Sequence, residues 1–320
     1  GTDSSGNPVE VLTEPLTNYN VFAFDQRLNG NSSIGFINTN VLRSNEEGAA
    51  RDANVTAVTT NLNFLNNSHF LNAALGRSSV YDIEDAHNGT ALGWELGKQT
   101  GAWRWTHEMD LVTPDFDPND LGFQRRGNKI HQSFTLSHQM LQPTGSFLRS
   151  RHRLGLQYNR LYEPSAFERV HLEYSYMGLQ KGFLAWGYNL EARPKEYDYF
   201  DPRVSGRYRL NPASAWHNAW VSTDFRKPLA FELRGGQYAW ADWNVRGIYG
   251  EFEFIVRVND KLNFKSNIEL SSNHNIGWAQ TLGPDSVGMA LRHRRELSQS
   301  FNGQYLFGPN SYLSLNLRHS

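Results

Sequence analysis

The sequence lacks cysteine and lacks any long hydrophobic run. Without cysteine, these 320 residues can form no disulfide, no thiolate metal site and no cysteine nucleophile. Without a run of about 18 apolar residues, they offer no candidate for a membrane-spanning helix. No signal peptide is visible in the first residues, which leaves open either a removed leader or an internal portion of a longer chain.

An excess of charge of one sign is also missing. The chain has 31 Lys and Arg against 32 Asp and Glu, a formal net charge of −1, and no basic patch that would indicate a nucleic-acid partner. Two basic clusters lie near predicted strand ends, at 125–129 and 292–295. We interpret them as solvated loop charge, with contacts to anionic lipopolysaccharide as the alternative.

Aromatic residues, by contrast, are abundant in a polar chain. They make up 13% of the sequence, while the mean hydropathy is only −0.59. A transmembrane β-barrel needs a thin apolar outer band, aromatic girdles and a polar lumen, so it combines these two properties.

Alternation of apolar and polar residues is the dominant pattern. Between Lys261 and Leu270, the residues Leu262, Phe264, Ile268 and Leu270 fall on one face of a strand, and polar side chains fall on the other. The pattern recurs at 169–176, 183–190, 248–258 and 312–318. These runs approach ten residues, the length of a tilted strand that crosses a bilayer.

The alternation predicts about 16 strands and no helix. The strands lie near 17–27, 33–42, 54–65, 69–79, 90–98, 102–112, 129–141, 148–160, 167–178, 182–192, 214–225, 229–240, 245–258, 261–271, 296–307 and 311–320. The predicted fold is all-β: a transmembrane antiparallel up-and-down β-barrel. A soluble all-β domain is the main alternative, and a propeller or solenoid is disfavoured because no fixed repeat is present.

The predicted connections alternate in length. The long ones cover 43–53, 80–89, 113–128, 193–213 and 272–295, and short Gly, Asn, Asp and Pro turns lie between them. Outer-membrane barrels have short periplasmic turns and long outer loops. With that orientation both termini lie on the outer side, whereas a single-chain barrel normally has both on the periplasmic side. We therefore expect strands to be missing at both ends and the complete barrel to have about 18 or more strands.

Three stretches carry a family resemblance: 17–40, 115–126 and 297–317. The middle one, Asp-Phe-Asp-Pro-Asn-Asp-Leu-Gly-Phe-Gln-Arg-Arg, is the most specific, with Asp117 where the family has asparagine. They resemble large outer-membrane barrels of Bacteroidota, in which the barrel follows a domain similar to carbohydrate-binding family 9. The resemblance implies that 1–320 is a partial barrel without the sugar-binding-like domain, so no glycan role of that domain is assigned to these residues.

The 113–127 loop is the densest polar motif. Asp115, Asp117 and Asp120 alternate with proline and glycine, a spacing that suits either a calcium loop or a turn fixed by Asx hydrogen bonds. No glutamate stands at the far end and the EF-hand pattern fails, so a structural turn is favoured, with a partner contact or a metal site as the alternatives. We predict no metal and no cofactor.

Charged residues predicted to face the lumen form a second candidate site. Glu251, Glu253 and Arg257 lie on one face of a single strand. Two carboxylates about 6.5–7 Å apart at Cα could serve acid/base hydrolysis. Large barrels carry such charges to solvate the lumen, and lumen electrostatics is the preferred interpretation.

Aromatic residues in predicted outer connections form a third candidate site. Trp240, Asp242 and Trp243 fall in one connection and Trp278 in the 272–295 loop, where rings could stack on sugars or anchor at the membrane interface. Interfacial anchoring is the preferred reading. Trp103, Trp105, Trp186 and Tyr188 fall within strands and are predicted to face lipid or to belong to an aromatic girdle.

The sequence therefore predicts a bacterial outer-membrane barrel that binds or takes up glycans or other solutes. The alternatives are a structural subunit of a larger envelope complex with a plugged lumen, and a membrane-embedded hydrolase. We predict no catalytic residues. The expected partners are outer-membrane lipid and lipopolysaccharide, with other outer-membrane or periplasmic proteins and glycans as further candidates.

Overall fold

A computed structural model describes residues 15–44, 51–81, 86–202, 206–283 and 286–320, and their regular structure is entirely β. The strands are β1 (Thr17–Asn29), β2 (Ser32–Arg43), β3 (Asp52–Phe64), β4 (His69–Tyr81), β5 (Ala86–Lys98), β6 (Trp103–Val112), β7 (Lys129–Gln139), β8 (Phe147–Arg160), β9 (Phe167–Gln180), β10 (Ala185–Arg193), β11 (Glu196–Asp198), β12 (Arg209–Asn211), β13 (Ser214–Ser222), β14 (Leu229–Trp240), β15 (Arg246–Arg257), β16 (Leu262–Gly283), β17 (Ser286–Gly308) and β18 (Ser311–His319). Across these ranges, no helix has the length and apolarity that crossing a membrane requires.

Sixteen of these strands form one sheet in which each strand neighbours the next along the chain, from β1 to β18, with β11 and β12 forming a separate pair. This is the predicted up-and-down antiparallel order, and all 16 predicted strands are confirmed. The chain divides into two compact units. Unit 1 holds the described residues up to Gln99 with Thr106–Gln132 and Asn159–Ala166, and unit 2 holds Thr100–Trp105, Ser133–Tyr158 and Phe167–Ser320.

Two predicted long loops are wrong in extent. Most of 272–295 is strand, because β16 and β17 run for 22 and 23 residues and pair almost to their ends. The predicted 80–89 loop is also largely strand, since β4 ends at Tyr81 and β5 begins at Ala86. The 193–213 connection carries the unpredicted β11–β12 hairpin. Alternation of apolar and polar residues does not reveal these extensions, because a hairpin that is solvated on both faces can be polar on both.

The register aligns apolar side chains into rows. In unit 1, Phe24, Phe36, Val58, Leu75 and Leu92 are successive cross-strand neighbours. Phe24 is 53% exposed and Leu75 52% exposed, so the row is not a core. An exposed apolar row across five strands is costly in water and has the composition of a lipid-facing surface. We call this side of each unit the apolar face and the opposite side the polar face.

An aromatic row crosses the apolar face of unit 2 near the short turns. It contains Trp103, His138, His152, Tyr176 and Trp186, whose successive ring centroids are 4.6, 6.5, 4.7 and 4.6 Å apart. Trp103 opens β6 and Trp186 is the second residue of β10, so the row marks one end of these strands. Such a row has the position and chemistry of an interfacial aromatic girdle.

Candidate functional site

A patch of very small side chains lies on the polar face of unit 1. Ser78 is paired with Gly89, and in the next row Ala57, Gly76 and Ala91 are successive neighbours. We call these five residues the small-residue seat. Because none extends beyond a hydroxymethyl group, another segment of backbone can approach the sheet closely here.

Residues 113–128, which we call the pinned loop, occupy the seat. A Cβ built on Gly89 would lie 2.0 Å from the Phe116 nitrogen, and one on Gly76 would lie 3.6 Å from the Phe116 ring. The Ser78 hydroxyl donates to the Asp115 carbonyl at 3.5 Å and accepts from the Asp117 N–H at 2.9 Å. The loop backbone therefore lies directly against the strand backbone of β5.

Two arginines fasten the acidic part of the pinned loop. Arg43 Nη2 contacts Asp120 Oδ1 at 2.5 Å, and Arg51 Nη2 contacts Asp117 Oδ2 at 2.6 Å and Asp120 Oδ2 at 3.2 Å. The Asp120 side chain is only 12% exposed. These carboxylates face guanidinium groups, as expected of a structural turn rather than a cation site. Among the described residues no group of three or more His, Cys, Asp or Glu is arranged to hold a metal.

Local hydrogen bonds shape the pinned loop from within. Asp117 Oδ1 accepts from the Asn119 backbone at 3.0 Å, and Asn119 Oδ1 accepts from the Gln124 backbone at 2.7 Å. Partial burial acts to raise the pKa of Asp117, but the Asn119 N–H and the Arg51 guanidinium outweigh it, so the pKa lies below its ordinary value. Phe123 is 87% exposed.

The charged residues predicted to face the lumen share the polar face of unit 2. Glu251 accepts a hydrogen bond from Asn267 at 3.2 Å, and Glu253 pairs with Lys265 at 3.0 Å. Arg257 points away from both, because its guanidinium donates to the Lys227 carbonyl in a short turn. The two carboxylates therefore have separate partners rather than one shared reaction centre, and the arrangement favours lumen electrostatics over hydrolysis.

An aromatic pocket of about 360 Å³ lies at the other end of the same face in unit 2. Trp216 is the cross-strand neighbour of both Glu191 and Tyr238, and Ser214 is the neighbour of Trp240. The lining residues are Glu191, Arg193, Ser214, Ala215, Trp216, Tyr238 and Trp240. Three aromatic rings with a carboxylate and a guanidinium can contact a flat, hydroxyl-rich molecule.

The four residues predicted in outer connections are only partly brought together. Trp240 ends β14, while Asp242 and Trp243 lie exposed in the following turn. The Trp240 and Trp243 ring centroids are 5.7 Å apart, and Trp243 has φ of 67°, the strained left-handed region for a bulky residue. The placement of Trp278 in a loop is wrong, since it lies within β16; its side chain falls outside the described structure.

Sequence reasoning missed the seat and every pocket residue except Trp240, including the charged and aromatic members Glu191, Arg193, Trp216 and Tyr238. Trp216 and Trp220 do share a strand face in the sequence, which was a usable signal. The seat gave no such signal, because its small residues form a patch only across strands, and the sequence alone does not give the cross-strand register.

Comparison with known proteins gives one family and a weak structural likeness. A family model described as "Domain of unknown function (DUF5916)" matches residues 2–320. No curated protein matches. A solved structure, "Copper transporter OprC", is 10% identical with a TM-score of 0.38, and the match covers 98% of this chain and 63% of that one. The chain thus spans less than two thirds of that protein, and a likeness of this size carries no functional argument.

Proposed function

The chain belongs to the family described as Domain of unknown function (DUF5916), and we propose that it forms an outer-membrane β-barrel that binds or takes up polar solutes, glycans in particular. The observation that carries the proposal is the separation of faces. In each unit exposed apolar rows lie on one side, with the aromatic row among them in unit 2. The opposite side carries the seated loop in unit 1 and the charges and the polar pocket in unit 2.

Barrel closure follows from the needs of such a sheet. In hydrocarbon, an open sheet edge leaves backbone groups unpaired, so a membrane-spanning sheet must close. Barrels of about 16–18 strands enclose an aqueous channel. In the proposed barrel the polar face lines that channel and the pinned loop narrows it.

The glycan part of the proposal rests on the aromatic pocket. Apolar faces of sugar rings pack on aromatic rings, and sugar hydroxyls bond to carboxylate and guanidinium groups. Glu191 and Arg193 lie beside Trp216 and Tyr238 on the polar face. A saccharide entering from the end with the long connections would meet this pocket.

Two measurements on the full-length protein test this function. In planar bilayers the protein should conduct ions, and an oligosaccharide that binds should interrupt the current. Trp216→Ala should weaken oligosaccharide binding about tenfold, the loss of roughly 1.4 kcal/mol of ring contact. Trp220→Ala, on the same strand and face but outside the pocket lining, is the matched control. Equal binding by the wild-type protein and Trp216→Ala would refute the glycan assignment.

A structural subunit with a plugged lumen is the second candidate, and the pinned loop favours it. If the lumen is plugged, the wild-type protein should conduct no ions in planar bilayers and should admit no solute in vesicle-swelling assays. Stoichiometric co-purification with other envelope proteins, together with an absence of conductance, would replace uptake by this alternative.

A further inference from the structure

The apolar face of unit 2 changes composition over a few cross-strand rows of β14 to β17. Moving away from the short turns, the rows are Leu233–Phe252–Ile268–Gln299, then Gly235–Gly250–Leu270–Leu297, then Gln237–Ile248–Ser272–Arg295, then Ala239–Arg246–His274–His293. The apolar band that crosses all four strands ends within these rows, and only the β16–β17 hairpin continues beyond them, with Ile276 paired to Leu291 on the same face.

Four basic side chains stand where the band ends. We call Arg246, His274, His293 and Arg295 the cationic collar. The two imidazole rings have centroids 4.1 Å apart in an edge-to-face arrangement. Within the described ranges, neither arginine has an ion pair or a side-chain hydrogen bond, and the last two rows of this face hold no carboxylate. The collar is a concentration of positive charge without a protein counter-ion.

Basic side chains crowd one another in the collar, because His274 is the cross-strand neighbour of both Arg246 and His293. A bound anion would relieve this crowding.

An apolar cleft lies directly below the collar. It has a volume of about 600 Å³, and Ile248, Leu270 and Leu297 line it with exposed side chains. Its floor is open because Gly250 has no side chain, and Arg295 stands at its rim. The cleft therefore offers an apolar groove whose upper end is positively charged.

We propose that the cleft and the cationic collar bind the lipid A part of lipopolysaccharide, with an acyl chain in the cleft and a sugar phosphate at the collar. This inference rests on the proposed function, which places this face in the membrane and the long connections outside. The lipid at that level of an outer membrane is lipopolysaccharide. Guanidinium groups bind phosphate through two parallel hydrogen bonds, and the imidazoles add further donors.

The test is native mass spectrometry of the full-length protein in detergent, titrated with bisphosphorylated lipid A. The variant Arg246→Gln/Arg295→Gln should bind at least about tenfold more weakly, the loss of roughly 1.4 kcal/mol of phosphate contact. The control is Arg292→Gln/Arg294→Gln, which removes the same charge from the polar face of β17. The control should bind as the wild type does. Dephosphorylated lipid A should bind as weakly as the collar variant, and inorganic phosphate should not compete.

Other outcomes overturn the proposal. Equal loss in both double variants would show nonspecific attraction of anions, and no loss in either would remove the site. Phosphatidylglycerol binding as tightly as lipid A would show a general anionic-lipid surface instead. Folding in detergent is checked separately by heat-modifiable migration, so loss of the barrel itself is distinguished from loss of this site.

Discussion

The polar faces of the two units differ in side-chain size and in what covers them. In unit 1 the face around Ser78 and Gly89 is built of small residues, and the pinned loop lies on it. In unit 2 the face around Glu251 carries long charged side chains, and Glu251 lies opposite the exposed Glu269. Like charges opposite one another destabilise a sheet unless water screens them.

This difference in side-chain size determines where another segment can pack on a polar face and where the face must stay solvated. A seated loop needs backbone-to-backbone approach, which only small side chains permit. A solvated wall needs charge, which keeps other segments away because burying an unpaired charge is costly. Side-chain size on the polar face is thus a better guide to loop position than loop length is.

Gly89→Ala fills the small-residue seat and should have the largest effect on the difference between the two polar faces. The new Cβ would meet backbone atoms of Phe116 at 2.0 and 2.1 Å, which cannot move aside as a side chain could. We expect release of the pinned loop at a cost of about 3 kcal/mol, the upper end of typical overpacking. Limited proteolysis within 113–128 should accelerate at least about tenfold.

Gly277→Ala is the matched control, since a Cβ there has no atom within 4 Å. An unchanged cleavage rate in Gly89→Ala would mean that the loop is not seated on β5.

Removing a fastening carboxylate should have the next largest effect. Asp120→Ala leaves Arg43 and Arg51 without a shared, largely buried partner. We expect a loss of about 2 kcal/mol in loop seating, typical of hydrogen bonds to charged groups. The same proteolysis assay measures it. Asp115→Ala removes an equal charge from the same loop and should change little.

The seating of the loop should also depend on pH. The pKa of Asp117 is lowered in the folded state, so its contribution is present above the unfolded-state pKa and is lost as pH falls through the folded value, below the ordinary 3.8. Because this pair is partly exposed, we expect less than ~1 kcal/mol. Loop proteolysis by an acid-active protease should rise in this window. A pH profile that Asp117→Asn leaves unaltered would contradict this assignment.

The smallest effect should come from the solvated wall of unit 2. Glu253→Gln breaks a partly exposed pair with Lys265 and should change the free energy of unfolding by under ~1 kcal/mol. If this face lines a pore, the reversal potential in a salt gradient should shift toward anion preference. Lys265→Gln should shift it in the opposite direction, and shifts of the same sign would place the pair away from the ion path.

The strands were predictable because each obeys a local rule. Alternation over about ten residues locates a strand wherever one side is apolar, as between Leu262 and Leu270. The outer halves of β16 and β17 were not predictable in this way, since Asn273, His274 and Arg294 place polar groups on both faces. Their pairing depends on the opposite strand, which a local pattern does not contain.

The candidate sites show the same limit. The Glu251 and Glu253 positions follow from alternation within one strand, and their shared face is confirmed. The aromatic pocket joins Glu191, Trp216 and Tyr238 from three strands, so it emerges only from register. The Asx-type hydrogen bonds of 113–127 were predictable from composition, but the arginines that hold the loop lie more than 60 residues away in sequence.

The contact at Gly89 joins main chain to main chain, with no side chain between them. A fit of this kind constrains the path of the visiting segment and not its residue types. Substitutions along the loop can therefore accumulate without disturbing how it rests, provided its trajectory is kept. On the strand beneath, by contrast, even one added carbon would collide with the loop backbone. The loop should therefore tolerate more sequence variation than the strand on which it rests.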